Sequence, residues 1–166
     1  HRYPLITAPR LAQAPTIDGT VGKREWLGTA QSAPLVTMDT ARATSDPETA
    51  RYWIGYTDNA LHIAWRFDRP RQARVPRTTG LTDDEPGLWQ RDDLMELLVR
   101  PEAGGGKAFN YVVNSEGVGG DATHDGEPDA SWDASWQRAA TLTDTGWEGE
   151  LSIPFASLER DTPEPG

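Results

Sequence analysis

Hydrophobic and polar residues alternate with a period of two through the middle of the chain. Tyr52, Ile54 and Tyr56 fall on one side of a segment whose other side carries Arg51 and Trp53. Leu61, Ile63, Trp65 and Phe67 then alternate with His62, Ala64, Arg66 and Asp68. Successive strand side chains point to opposite faces, so this pattern predicts two strands joined by a hairpin turn at Asp58-Asn59. Residues 94–99 form a short apolar run with Glu96 inside it, which predicts a buried strand. Phe109, Tyr111 and Val113 alternate with Asn110, Val112 and Asn114 and predict another. Residues 137–143 and 147–153 read as a last hairpin across Asp144-Thr145-Gly146.

The flanking segments give weaker patterns. Residues 16–19 read as a short strand entering a turn, 22–29 as about two helical turns, and 34–38 as a strand. Residues 69–87 are polar and proline-containing and predict a long exposed loop. Residues 119–134 are acidic and glycine-rich and read as a second loop, and 156–158 as a single helical turn. About eight short strands separated by Gly, Pro and Asp turns predict an all-β protein, an antiparallel β-sandwich of jelly-roll type with little helix. Residues 1–14 read as an extended arm, and 15–166 as one domain.

Composition narrows the function. The chain has 166 residues, 26 Asp and Glu against 16 Lys and Arg, and a net charge of −10. Such a field repels phosphate backbones, which argues against nucleic acid as a partner. No apolar run approaches the roughly 20 residues of a helical membrane span, so membrane insertion is not expected. Cysteine is absent, which removes thiolate catalysis, disulfides and cysteine-held metals.

The chemistry-bearing residues point to binding rather than catalysis. The sequence has no nucleophile elbow, no zinc-protease helix, no phosphate loop and no dinucleotide fingerprint. Seven Trp outnumber three Phe, and an indole presents a flat surface on which the C–H face of a sugar stacks. Trp89 stands at a loop-to-strand junction, followed by Gln90, Arg91, Asp92 and Asp93, and is the first candidate platform. Trp132 and Trp136, four residues apart, are further candidates, whereas Trp26, Trp53, Trp65 and Trp147 read as core or core edge. Glu96 is an acceptor for sugar hydroxyls or one half of an ion pair with Arg66 or Arg100. Asn110 and Asn114 share a strand face and both donate and accept, so Glu96 beside Asn114 predicts a polar floor. Asp121, Asp125, Glu127 and Asp129 carry hard oxygen ligands at a spacing that would suit a structural calcium ion.

Five segments, in order, resemble the family 9 carbohydrate-binding modules. Residues 15–19 with Glu25-Trp26 are similar to the family's opening "IDG…EW", and 52–68 to its paired strands around "Dd". Residues 89–99 resemble "W…DD..E.f", 111–117 "vN..G", and 146–155 "GW..E..IPf". The resemblance implies a β-sandwich, commonly calcium-stabilised, that binds oligo- or polysaccharides without catalysing their reaction. It places Trp89 on a stacking Trp, Glu96 on the hydroxyl-binding acid and Asn114 on the Asn of the next strand. Trp89 and Glu96 are one residue further apart than in the family pattern. Val112 stands where sugar-binding members carry Arg, and the chain ends soon after Ile153-Pro154-Phe155, where family members continue into strands that carry a second Trp; either it is a fragment, or the two-Trp clamp is absent, or Trp132 or Trp136 substitutes. A secreted, periplasmic or cell-surface module is expected, with other domains of a longer chain as further partners. The alternatives are an accessory sandwich domain of a secreted enzyme that binds no sugar, and a sandwich holding b-type haem through Met38, Met95, His62 or His124.

Overall fold

The computed structural model describes residues 6–31, 50–68, 80–84, 88, 93–102 and 105–160. Among the described residues nine strands follow one another: β1 (Ala30–Gln31), β2 (Ala50–Tyr56), β3 (Ala60–Asp68), β4 (Leu94–Val99), β5 (Ala108–Asn114), β6 (Gly119–Asp125), β7 (Glu127–Asp129), β8 (Gln137–Leu142) and β9 (Gly146–Pro154). A short 3₁₀ turn, Phe155–Leu158, follows β9. One sheet has the order β1-β2-β3-β9-β8 and the other β4-β5-β6-β7. Every pairing between these strands is antiparallel.

The predicted alternation explains how the sheets meet. Ile63, Trp65, Trp147, Leu151 and Ile153 of the first sheet join Phe109, Tyr111 and Val113 of the second in one buried cluster. Trp65 meets Trp147 edge-on, with ring centroids 5.7 Å apart and planes at 79°, a favourable aromatic geometry. Gly149 lies opposite Trp65 in the register. A Cβ at Gly149 would overlap the Trp65 indole, so the large ring is fitted by removing its neighbour's side chain.

The outer face of the first sheet is also covered. Val21 and Trp26 pack with Ala64 and the half-buried Trp53. Glu150 is fully buried beneath them. It accepts hydrogen bonds from the Trp26 indole N–H at 2.7 Å and from the backbone N–H groups of Asp18 and Gly19 at 3.2 Å each. Burial raises the Glu150 pKa, and these three donors only partly offset that rise. Residues 9–11 run beside the end of β2, where Tyr56 N–H donates to Pro9 and Leu11 N–H donates to Tyr56.

Four local expectations change. Residues 22–29 form turns rather than a helix: the bond from Trp26 N–H to the Gly22 carbonyl is long, at 3.4 Å, and Trp26 is held by Glu150 instead. Residues 16–19 bend without forming a strand, because the N–H groups of Asp18 and Gly19 are taken by a side chain. The acidic segment 119–134 contains β6 and β7, since the β5 ladder overrides glycine-rich composition. Strand β4 is not buried but a sheet edge, with Met95, Leu97 and Val99 against the core and Glu96 exposed, while Leu98 keeps 52% of its surface accessible. The predicted strand at 34–38 and the loop 69–87 outside residues 80–84 lie beyond the described residues.

Candidate functional site

The alternation of β5 sends Asn110, Val112 and Asn114 to the face of the second sheet that turns away from the core. In the register Glu96 lies opposite Val112, and Leu98 opposite Asn110. The Asn110 Nδ2 group donates to Glu96 Oε1 across the diagonal at 2.9 Å. Asn110 is buried while Glu96 is exposed, and Asn110 Oδ1 is a buried acceptor without a hydrogen-bond partner among the described residues. Such a polar atom is one that a water or a ligand group would satisfy.

The polar pair therefore joins Glu96 to Asn110, not to Asn114. Asn114 Oδ1 is turned to the following bend, where it accepts from Glu116 N–H at 3.0 Å and Val118 N–H at 2.9 Å. Strand alternation assigned the face correctly, but a diagonal pair is selected by sheet twist and by competing donors. His124 shares this face, two positions along β6 from the Ala122 that pairs with Asn110. The sequence offered a signal for it in strand parity, hidden by the loop assignment. Arg100 at the end of β4 is tied to the Gly106 carbonyl at 3.1 Å, and Arg66 pairs with Glu148 at 2.6 Å; neither bond involves Glu96. Trp89 lies outside the described residues.

Trp132 and Trp136 are half-buried and pack on the core aromatics. Trp132 lies 5.3 Å from Phe109, and Trp136 lies 5.1 Å from Tyr111, between ring centroids. The Trp136 indole N–H donates to Asp121 Oδ2 at 2.8 Å, and Ala134 N–H donates to the same oxygen at 3.3 Å. Burial raises the Asp121 pKa; these bonds lower it in part, and the charges of Asp84 and Asp133 push it up again. Burial likewise raises the Tyr111 phenol, aided by the Asp121 charge. Asp125, Glu127 and Asp129 are exposed on the β6–β7 hairpin, and Asp129 is bonded by Ser131. Among the described residues no three His, Asp or Glu side chains converge as metal ligands, so the expected calcium set is spread along a hairpin. Of the haem candidates, His62 is buried on β3 with Nε2 at 2.9 Å from Thr57 Oγ1. Met95 packs on the core from β4, and Met38 lies outside the described residues.

An open groove of about 760 Å³ runs past Trp136. Residues 15–17 and the turn 116–118 line it, together with residues 136–138 and Asp83. The Arg138 guanidinium lies 4.4 Å from the Trp136 ring centroid and pairs with Asp83 at 2.5 Å. Burial alone would raise the Asp83 pKa, but Arg138 and the Gly119 N–H together bring it below the usual value.

No profile of a known protein family matches the sequence, and no curated protein matches it significantly. Solved structures do match. A proposed carbohydrate-binding protein from Bacteroides uniformis ATCC 8492 aligns at TM-score 0.67 and 16% identity, over 94% of this chain and 75% of its own. A family 9 carbohydrate-binding module from Caldicellulosiruptor kristjanssonii, in complex with cellotriose, aligns at TM-score 0.56 and 19% identity, over 89% and 67%. The glucose complex of a family 9 module from that organism aligns at TM-score 0.56 and 18% identity, over 95% and 72%. The chain has a family 9-like carbohydrate-binding module fold. Within this family 9-like fold, the segments resembling "IDG…EW" and "GW..E" are the two partners of the Trp26–Glu150 contact. Those residues fix the covering segment over the outer face of the first sheet, whereas Glu96 of the "W…DD..E.f" segment lies on the polar face.

Proposed function

We propose that this protein is a non-catalytic carbohydrate-binding module, secreted, periplasmic or at the cell surface, whose site is the Glu96–Asn110 face. Sugar hydroxyls donate to the exposed Glu96 carboxylate, which Asn110 braces from beneath, while Trp89 supplies the stacking surface. Asn114, on the same strand as Asn110, holds the turn that follows β5. The observation that carries this reading is the Glu96–Asn110 pair itself, an exposed carboxylate braced by a buried amide. The fold adds to it, because similar modules have been solved with cellotriose and glucose. No helix among the described residues is long and apolar enough to cross a membrane.

Single-module sugar sites work in the micromolar-to-millimolar range, roughly 4–8 kcal/mol. Calorimetric titration with neutral oligosaccharides tests the reading. Trp89→Ala should remove most of the binding and leave the melting temperature nearly unchanged. Absence of binding by every sugar class would instead leave an accessory sandwich domain without a sugar site.

A further inference from the structure

We infer that Leu98 sets the specificity of the Glu96–Asn110 site, selecting a sugar that carries a methyl group beside the hydroxyl held by Glu96. The inference rests on the carbohydrate reading above and names the class of sugar that this site takes. Strand alternation puts Leu98 on the same side of β4 as Glu96, and the register sets it directly opposite Asn110. Two residues along an extended strand separate the two side chains by about 7 Å. Leu98 keeps 52% of its surface accessible. Leu27 and Leu142, the other exposed large apolar side chains among the described residues, lie in the turns at 22–29 and at the end of β8. The rest of this face offers a ligand little else to touch, because Ala108, Val112, Asn114 and Ala122 are buried.

The chemistry of a leucine at that point decides what it recognises. Unlike an indole, its isobutyl group has no flat π face, and it accepts no hydrogen bond. A sugar edge lined with hydroxyls, laid against it, gives up water without gaining a partner, which is unfavourable. A methyl group in the same place removes apolar surface from water on both sides and is favoured. The acceptor beside it is fixed, because Asn110 Nδ2 donates to Glu96 Oε1 at 2.9 Å. Hydroxyl and methyl are therefore read at a set separation, which reduces the ordering cost of binding. The apolar patch is also small. Glu96 stands two residues before Leu98, and Arg100, which donates to the Gly106 carbonyl at 3.1 Å, stands two residues after it. That interval fits a methyl substituent and not a lipid tail or an aromatic group. Deoxyhexoses such as fucose carry a methyl on the ring, and N-acetylated hexosamines carry one at the end of an acetamide.

Titration of the whole chain, by calorimetry or NMR, with sugar pairs that differ in the methyl-bearing group tests this. L-Fucose against L-galactose reads the deoxy group, and chitotriose against cellotriose reads the acetamide. Leu98 is exposed, so Leu98→Gln should keep the melting temperature of the parent. The parent should bind the methyl-bearing member of one pair about fourfold more tightly, the ratio for one methyl-sized apolar group removed from water. The pair that shows the preference identifies the source of the methyl. In Leu98→Gln the preference should vanish while the plain sugar binds as before, and in Glu96→Ala both members should be lost. Equal binding within both pairs, or a preference that survives in Leu98→Gln, would overturn the role of Leu98 and leave the Glu96 site standing. Failure of both methyl-bearing sugars to bind would overturn the assigned class. Binding untouched by Glu96→Ala would overturn the site and the selection together.

Discussion

The indole N–H of Trp26 donates to Glu150 Oε1 at 2.7 Å, joining residues 124 positions apart. The bond lies beneath the segment that covers the outer face of the first sheet, and Asp18 and Gly19 donate to the other carboxylate oxygen. One buried side chain thus fixes an otherwise irregular stretch of backbone. A buried carboxylate without donors would be costly, and removing one donor transfers that cost to the folded state.

Trp26→Phe should therefore lower stability by about 1–3 kcal/mol at neutral pH, the range for an unsatisfied buried group. Glu150 has a raised pKa, so its neutral form is the one the fold favours. Stability from this group is complete below the ordinary carboxylate range and is lost as pH rises through the raised value. The deficit of Trp26→Phe should accordingly shrink on acidification, as measured by urea denaturation at two pH values. A deficit independent of pH would assign the loss to packing alone.

His62 works in the opposite direction. Burial lowers its pKa below 6.5, so the unfolded chain takes up a proton that the folded chain resists. Its contribution to stability should be lost as pH falls below about 6.5. His62→Gln retains a partner for Thr57 and removes the titration. A melting-temperature series between neutral and mildly acidic pH should be flatter in this variant than in the parent, and parallel curves would show that another group governs the slope.

Gly149 gives a test of the core. Its missing Cβ makes room for the buried Trp65 ring, and the two residues face each other on paired strands, so neither strand can yield without disturbing the other. Gly149→Ala should cost about 1–3 kcal/mol, the usual penalty for overpacking. An unchanged denaturation midpoint would mean that Trp65 has room to move.

The strands of the sandwich were legible because β2, β3, β5 and β9 turn large apolar side chains to the core and mostly polar or small ones to the other face, so they alternate even in β5 and β9, where both faces are buried. The segment containing β6 and β7 was not, since its glycines and aspartates carry the signature of a turn while its pairing comes from β5. The polar face was partly legible: parity placed Asn110 and Asn114 together, but only the folded geometry separates a residue that braces Glu96 from one that holds a turn. The Trp26–Glu150 contact was present as two motifs whose spatial relation no local pattern encodes.

Asn114→Ala separates these two roles. Loss of its bonds to Glu116 and Val118 should reduce stability by about 1–2 kcal/mol. Sugar affinity at Glu96 should change much less than in Asn110→Ala, when both are compared well below their melting temperatures. An equal loss of affinity in the two variants would make Asn114 a direct sugar contact.

The most direct test of the carbohydrate site is to follow the Asn110 side-chain amide by ¹H–¹⁵N NMR during titration with neutral oligosaccharides. The account predicts saturable shifts of that amide and of the β4–β5 backbone, absent in Glu96→Ala. An Asn110 amide that stays fixed while the sugar binds elsewhere, or with every sugar tried, would contradict it.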